Sequence, residues 1–296
     1  MTQGKLSPVQ VWISPLYGFD IVTQIHRIDL GDGVNLIRME DDFKEALAWK
    51  PDLQKELQEQ ECKWAIEISY ILTDSALQDA LDAKTLKDII TVLRLGQQGD
   101  IAPGPIFMVN MNKKPPSVGI LFYHEMYSSH HSVIHKYELT EMDITDLTVL
   151  WQEFRNKRKL GKLDALNIAI DRFNSSYRGR YDDMLIDQMI ALESLYIGDN
   201  QELTYKLALR AAFLLGGGQR ERRKIFDRLK KAYGIRSKIV HGSPVPADIG
   251  EVVDYTEDYL RKSLVKFIQI SDKYSLNQIR ETLLDQNIIQ TRRLLK

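Results

Sequence analysis

Short apolar runs, each bounded by turn-forming residues, fill the first 140 positions of the chain. Val9 to Ile13, Ile25 to Leu30, Val34 to Met39, Trp64 to Leu72, Ile106 to Val109, Val118 to Tyr123 and Val133 to Leu139 read as strands. Asp32-Gly33 fits a tight hairpin turn between two of them. Asp42 to Glu59 and Ser75 to Leu93 interrupt with helical character, so this part is expected to be an α+β domain. Gly96 to Pro105 and the Lys113-Lys114-Pro115-Pro116 turn are expected to be irregular.

From Thr140 onward the apolar period becomes helical. The expected helices are Thr140 to Lys159, Lys162 to Tyr177, Asp182 to Ile197, Glu202 to Leu215, Gln219 to Val240, Asp248 to Tyr274 and Leu276 to Leu295. In Glu202 to Leu215, Leu203, Leu207, Ala211 and Leu214 form an apolar stripe that also carries Arg210, which packing alone does not explain. Gly216 to Gly218 stops one helix and Gly242-Ser243-Pro244 another. The simplest division is a mixed α+β domain over 1–140, followed by an all-α domain over 141–296.

Composition adds little until charge is divided along the chain. With 44% hydrophobic and 27% charged residues, the 296-residue chain matches ordinary globular proteins, not disordered or fibrous ones. Met1 to Gln10 lacks a secretory pattern, and no apolar stretch approaches the roughly 18 residues of a membrane span. A cytoplasmic protein with no membrane partner is therefore expected. Cys62 is the single cysteine, so an intrachain disulfide and a cysteine-built metal site are excluded, and a semi-buried thiol is expected.

The net charge of -1 conceals an asymmetry: residues 1–150 carry 13 Lys/Arg against 22 Asp/Glu, and residues 151–296 carry 27 against 19. Between Gln201 and His241, eleven Lys/Arg face only Glu202, Glu221 and Asp227. Such a stretch is the footprint expected for phosphate contact, although solvated helix faces are often basic too.

Lys230 to Gly242 reads KKAYGIRSKIVHG, with Arg236 and His241 in an Arg-x4-His spacing after a basic amphipathic helix. Together with Leu185 to Tyr196 and Glu202 to Leu215, this segment resembles the Apea-like branch of HEPN domains over roughly the C-terminal half of the chain. The resemblance implies an all-α HEPN helical bundle that forms a homodimer and brings two Arg/His motifs to one cleft. It also implies a metal-independent endoribonuclease without cofactors, in which the ribose 2′-hydroxyl attacks the adjacent phosphate and leaves a 2′,3′-cyclic phosphate. Relatives of this type belong to prokaryotic antiphage defence or act as toxins. The N-terminal domain would then be a sensor of a phage or host protein trigger, or a regulatory domain that inhibits the bundle.

The residue types suit that chemistry. Histidine titrates near neutrality and can exchange protons, which makes His241 the candidate acid or base. Arginine offers a charged planar fork to phosphate oxygens, which makes Arg236 the candidate stabiliser of the phosphorane. On a continuous helix five residues turn about 500°, leaving the two roughly 140° apart. Either Gly234 breaks the helix, or a partner subunit's motif completes the site. Ser237 would project between Arg236 and His241 and is a third catalytic candidate, with plain helix surface as its alternative. Lys230, Lys231, Lys238, Arg228 and Arg223 are the candidates for holding the RNA backbone, and Glu193 is expected to pair with a buried cation such as Arg210.

The rival reading is a non-catalytic HEPN dimer that serves as an RNA-binding or protein-interaction scaffold. His124, His130, His131 and His135 crowd one region, but the flanks Val118 to Tyr123 and Val133 to Leu139 read as a hairpin, where residues four apart lie about 13 Å from each other. Surface hairpin histidines, with no metal, are expected there.

Overall fold

The computed structural model describes residues 9–39, 50–59, 62–71, 83–110, 117–122, 137–199 and 201–284. The chain divides into two compact units, Met1–Gln152 and Glu153–Lys296.

The first unit is built on an antiparallel sheet with strand order β3-β4-β5-β1-β7-β8. Its strands are β1 (Val9–Tyr17), β3 (Arg27–Gly31), β4 (Val34–Arg38), β5 (Trp64–Ile71), β7 (Ile106–Asn110) and β8 (Ser117–Phe122), with β6 (Ala102–Pro103) bridging to β1. The central strand β1 is buried from Val11 to Leu16 without alternation, as a strand covered on both faces must be. On one face, Val11, Ile13, Ala65 and Phe107 meet Met39, Cys62, and Leu53 and Leu57 of helix α1 (Pro51–Glu59). Helix α2 (Ala83–Gly96) is buried on nearly every side.

The Asp32-Gly33 hairpin forms as expected. Both residues have positive φ (56° and 76°), the twist that suits a two-residue turn between β3 and β4. A Cβ on Gly33 would lie 2.4 Å from the Ser69 carbonyl oxygen, so the turn needs glycine for space as well as for dihedral angle.

Three expectations for this unit are corrected. Tyr137–Leu139 (β9) does not join a hairpin with β8: it pairs in parallel with β2 (Phe19–Ile21), a strand too short to carry a period. Phe19 stacks on Tyr137 at 5.4 Å, and the Tyr137 hydroxyl donates to the Leu93 carbonyl, so side-chain packing selects this pairing. The stretch from Gly96 to Pro105 is not wholly irregular, because Ala102 and Pro103 pair with β1. Cys62 is fully buried, its thiol facing the Leu16 carbonyl at 3.2 Å. The four expected hairpin histidines and the Lys113–Pro116 turn lie outside the described residues.

Helix α3 (Glu141–Lys159) contains the division between the units and opens with one half of a capping box. Asp143 accepts from the Thr140 backbone N–H at 2.7 Å and from its hydroxyl at 2.6 Å.

The second unit is helical. After a 3-10 turn (Asp164–Leu166) come α4 (Asn167–Ser175), α5 (Tyr181–Tyr196), α6 (Leu203–Leu215), α7 (Gln219–Val240), α8 (Ile249–Ile270) and α9 (Leu276–Leu284). Helix α5 packs on α4, α6, α7 and α8. Its Tyr196 is wholly buried, edge-on to Phe267 at 5.4 Å. The Ser263 hydroxyl donates to the Tyr259 carbonyl at 2.6 Å, so Tyr196 is the donor in its 2.7 Å bond to Ser263. Among the described residues no helix is long and apolar enough to cross a membrane.

Arg210, unexplained by the apolar stripe, is buried to 4% exposure and donates to the Tyr196 carbonyl. Arg280 donates to the Leu195 and Ser194 carbonyls at 3.0 and 2.7 Å. Together they satisfy carbonyls at the C-terminal end of α5 that the helix leaves unpaired.

Candidate nucleic-acid interface

Helix α7 carries nine Lys/Arg against two acids and buries only Ile225, Leu229, Ala232 and Ile235. Those four lie within one face at helical spacing; Arg228 and Arg236 fall within the same arc, and most of the other cations occupy the rest of the circumference. The helix is continuous through Gly234, so of the two alternatives the break there does not occur. A Cβ at Gly234 would meet nothing within 4 Å, which shows that no close approach demands glycine at this point.

The end of α7 is set by Gly242. With φ at 81°, Gly242 donates its N–H to the Ile239 carbonyl at 2.9 Å, and Ser243 donates to the Lys238 carbonyl at 2.9 Å. These two bonds make a Schellman motif, in which a left-handed glycine closes the last turn. His241 is therefore the C-cap residue, and it is exposed.

Arg236 points elsewhere. With the helix unbroken, about 140° separates it from His241. Its guanidinium approaches Glu193 of α5, Nη2 lying 3.7 Å from Oε2, and each side chain is 23% exposed. The expected Glu193 to Arg210 pair is thus replaced by Glu193 to Arg236. Tyr233, one turn before Arg236, lies with its ring 5.9 Å from the guanidinium carbon. Burial first, then a hydrogen bond to the Glu193 carboxylate, pushes the Tyr233 hydroxyl above its ordinary value, and this hydroxyl also meets Thr204 of α6. The Arg236 Nε is buried without a hydrogen-bond partner. Ser237 sits between the two motif residues around the helix, half-buried, and its carbonyl accepts from the His241 N–H at 3.2 Å.

The five backbone-contact candidates separate into two groups. Arg228 turns onto α8, its guanidinium 4.8 Å from the Tyr255 ring and 3.8 Å from Glu251. Burial pushes Tyr255 up to about 12. Lys231 pairs with Asp248 at 2.6 Å; their hydrogen bond raises the lysine and lowers the aspartate from their ordinary values. Arg223 pairs with Asp227 one turn away at 2.7 Å. Lys230 and Lys238 have no carboxylate partner among the described residues, and the same holds for Arg220 and Lys224.

Sequence reading missed Tyr233, which faces Glu193, and Thr204, which faces Tyr233. Tyr233 had a signal, since residues three apart on a helix are neighbours. Thr204 had none, because only the packing of α6 on α7 brings it there. Among the described residues no group of three or more His, Cys, Asp or Glu is placed to hold a metal ion. No family model, curated protein or solved structure matches the chain.

Proposed function

We propose that the helical unit is a HEPN-type bundle and that it cleaves RNA, with two copies of the chain contributing Arg236 and His241 to a shared site. One observation carries this reading: His241 is presented to solvent at the closed end of an unbroken basic helix, facing away from the Arg236 of its own copy. A single phosphate cannot be gripped by two groups about 140° apart on one helix, so a second copy supplies the complement.

In the reaction the 2′-oxygen forms a bond to phosphorus while the bond to the 5′-oxygen breaks. One histidine takes the proton from the 2′-hydroxyl, another gives a proton to the departing 5′-oxygen, and arginine balances charge on the phosphorane. The products are a 2′,3′-cyclic phosphate and a 5′-hydroxyl. The biological role that accompanies the resemblance, antiphage defence with the N-terminal unit as sensor in the cytoplasm, forms part of the same proposal.

A non-catalytic RNA-binding scaffold is the second reading, and the ion pair of Arg236 with Glu193 favours it, since that arginine's charge is already engaged. Cleavage of a labelled tRNA pool in EDTA separates the two. Cyclic-phosphate ends that vanish in His241→Ala and in Arg236→Ala establish the ribonuclease; intact RNA throughout, with binding retained, establishes the scaffold.

A further inference from the structure

The flank of α7 that faces α6 carries aromatic rings where its exposed face is mostly charged. Tyr205 of α6 is 50% exposed, and its ring meets Phe226 of α7 edge-on, with centroids 5.6 Å apart. The Lys230 ammonium lies 5.3 Å from the Phe226 centroid. Tyr233 and Ser237 continue the same side of the helix, with Arg236 beside Tyr233. Phe226, Lys230, Tyr233 and Ser237 follow at steps of four, three and four, so they align along about 16 Å of helix.

Core packing accounts for the half-buried Phe226, but not for Tyr205. An aromatic ring with half its surface in water, in edge contact with a second ring over which lies a lysine without a carboxylate partner, has the features of a stacking platform. Base-aromatic stacking accepts any base, and neighbouring cations hold the phosphates between stacked bases. Duplex RNA offers no such faces, because its bases are stacked on one another and its deep groove excludes side chains.

We infer that Tyr205, with Phe226 and Lys230, forms a binding strip for single-stranded RNA, on which an unpaired base stacks against Tyr205 while Lys230 contacts the adjoining phosphate. The strip leads along α7 toward Arg236 and Ser237, so loops and unpaired ends are the substrate class it selects. This inference rests on the RNA reading above.

The test is fluorescence anisotropy of the full chain with a labelled 2′-O-methyl oligoribonucleotide, which lacks the attacking hydroxyl, as a single strand and as a perfect duplex. The single strand is expected to bind more tightly than the duplex. Tyr205→Ala should weaken single-strand binding about tenfold, the scale of one lost stacking contact, with duplex binding unchanged. Tyr205→Trp, which keeps a π-face, should retain it. Equal affinity for both forms, unchanged single-strand binding by Tyr205→Ala, or an equal loss in Tyr205→Trp overturns the strip and leaves the RNA reading standing. Absence of binding to either form overturns both.

Discussion

The Arg236 guanidinium stands 3.7 Å from the Glu193 carboxylate, and the Tyr233 ring lies 5.9 Å from the guanidinium carbon. The motif arginine is therefore oriented from α5, by a residue 43 positions earlier in the chain. Its charge is shared between the bundle and any phosphate that approaches.

Glu193→Gln should release that charge. RNA binding is expected to tighten, and the slope of log affinity against log salt to steepen by up to one phosphate contact, about 0.7 for a single strand. Anisotropy titrations at several salt concentrations measure both. An unchanged slope would show that Arg236 does not meet phosphate.

His241→Ala should separate chemistry from stability. The side chain is exposed at a helix C-cap, so unfolding free energy is expected to change by no more than about 0.5 kcal/mol in urea titrations, while RNA cleavage is lost.

Gly242→Ala tests how the histidine is held. A Cβ at Gly242 would meet nothing within 4 Å, so the substitution is opposed by the positive φ alone. A loss of about 1 kcal/mol in stability is expected. Cleavage should fall by more than that stability loss explains, because the turn that positions His241 unwinds.

Acid should loosen the start of α3. Hydrogen bonds from the Thr140 hydroxyl and then its backbone N–H hold Asp143 below its ordinary value of 3.8. A carboxyl lowered in the folded state stabilises it at pH above the unfolded value, and that contribution is lost as pH falls through the lower folded value. Asp143→Asn is therefore expected to reduce stability at pH 7 and to make the loss between pH 5 and pH 3 shallower, as read by urea unfolding at each pH.

Gly33→Ala should fail more severely than Gly242→Ala. Both positions have positive φ, but only at Gly33 does the added carbon collide with backbone, at 2.4 Å from the Ser69 oxygen. A markedly larger drop in melting temperature is expected, provided the protein folds at all.

The sequence by itself determined what is local. Helical period located α5, α6 and α7 to within a few residues, Asp32-Gly33 announced its turn, and Gly242 announced the end of α7, because each depends on backbone chirality and neighbouring side chains. The angle between Arg236 and His241 followed only once α7 ran unbroken through Gly234, a point that the sequence left open. Tertiary structure decided the rest. Glu193 met Arg236 in place of Arg210 because both arginines lie near the end of α5, and Arg210 is taken by the Tyr196 carbonyl. The three-residue strands β2 and β9 paired because Phe19 and Tyr137 stack across 118 positions of chain, a contact for which no period exists. That Arg228 and Lys231 of α7 are paired was settled by Glu251 and Asp248, whose approach to the helix follows from the packing of α8.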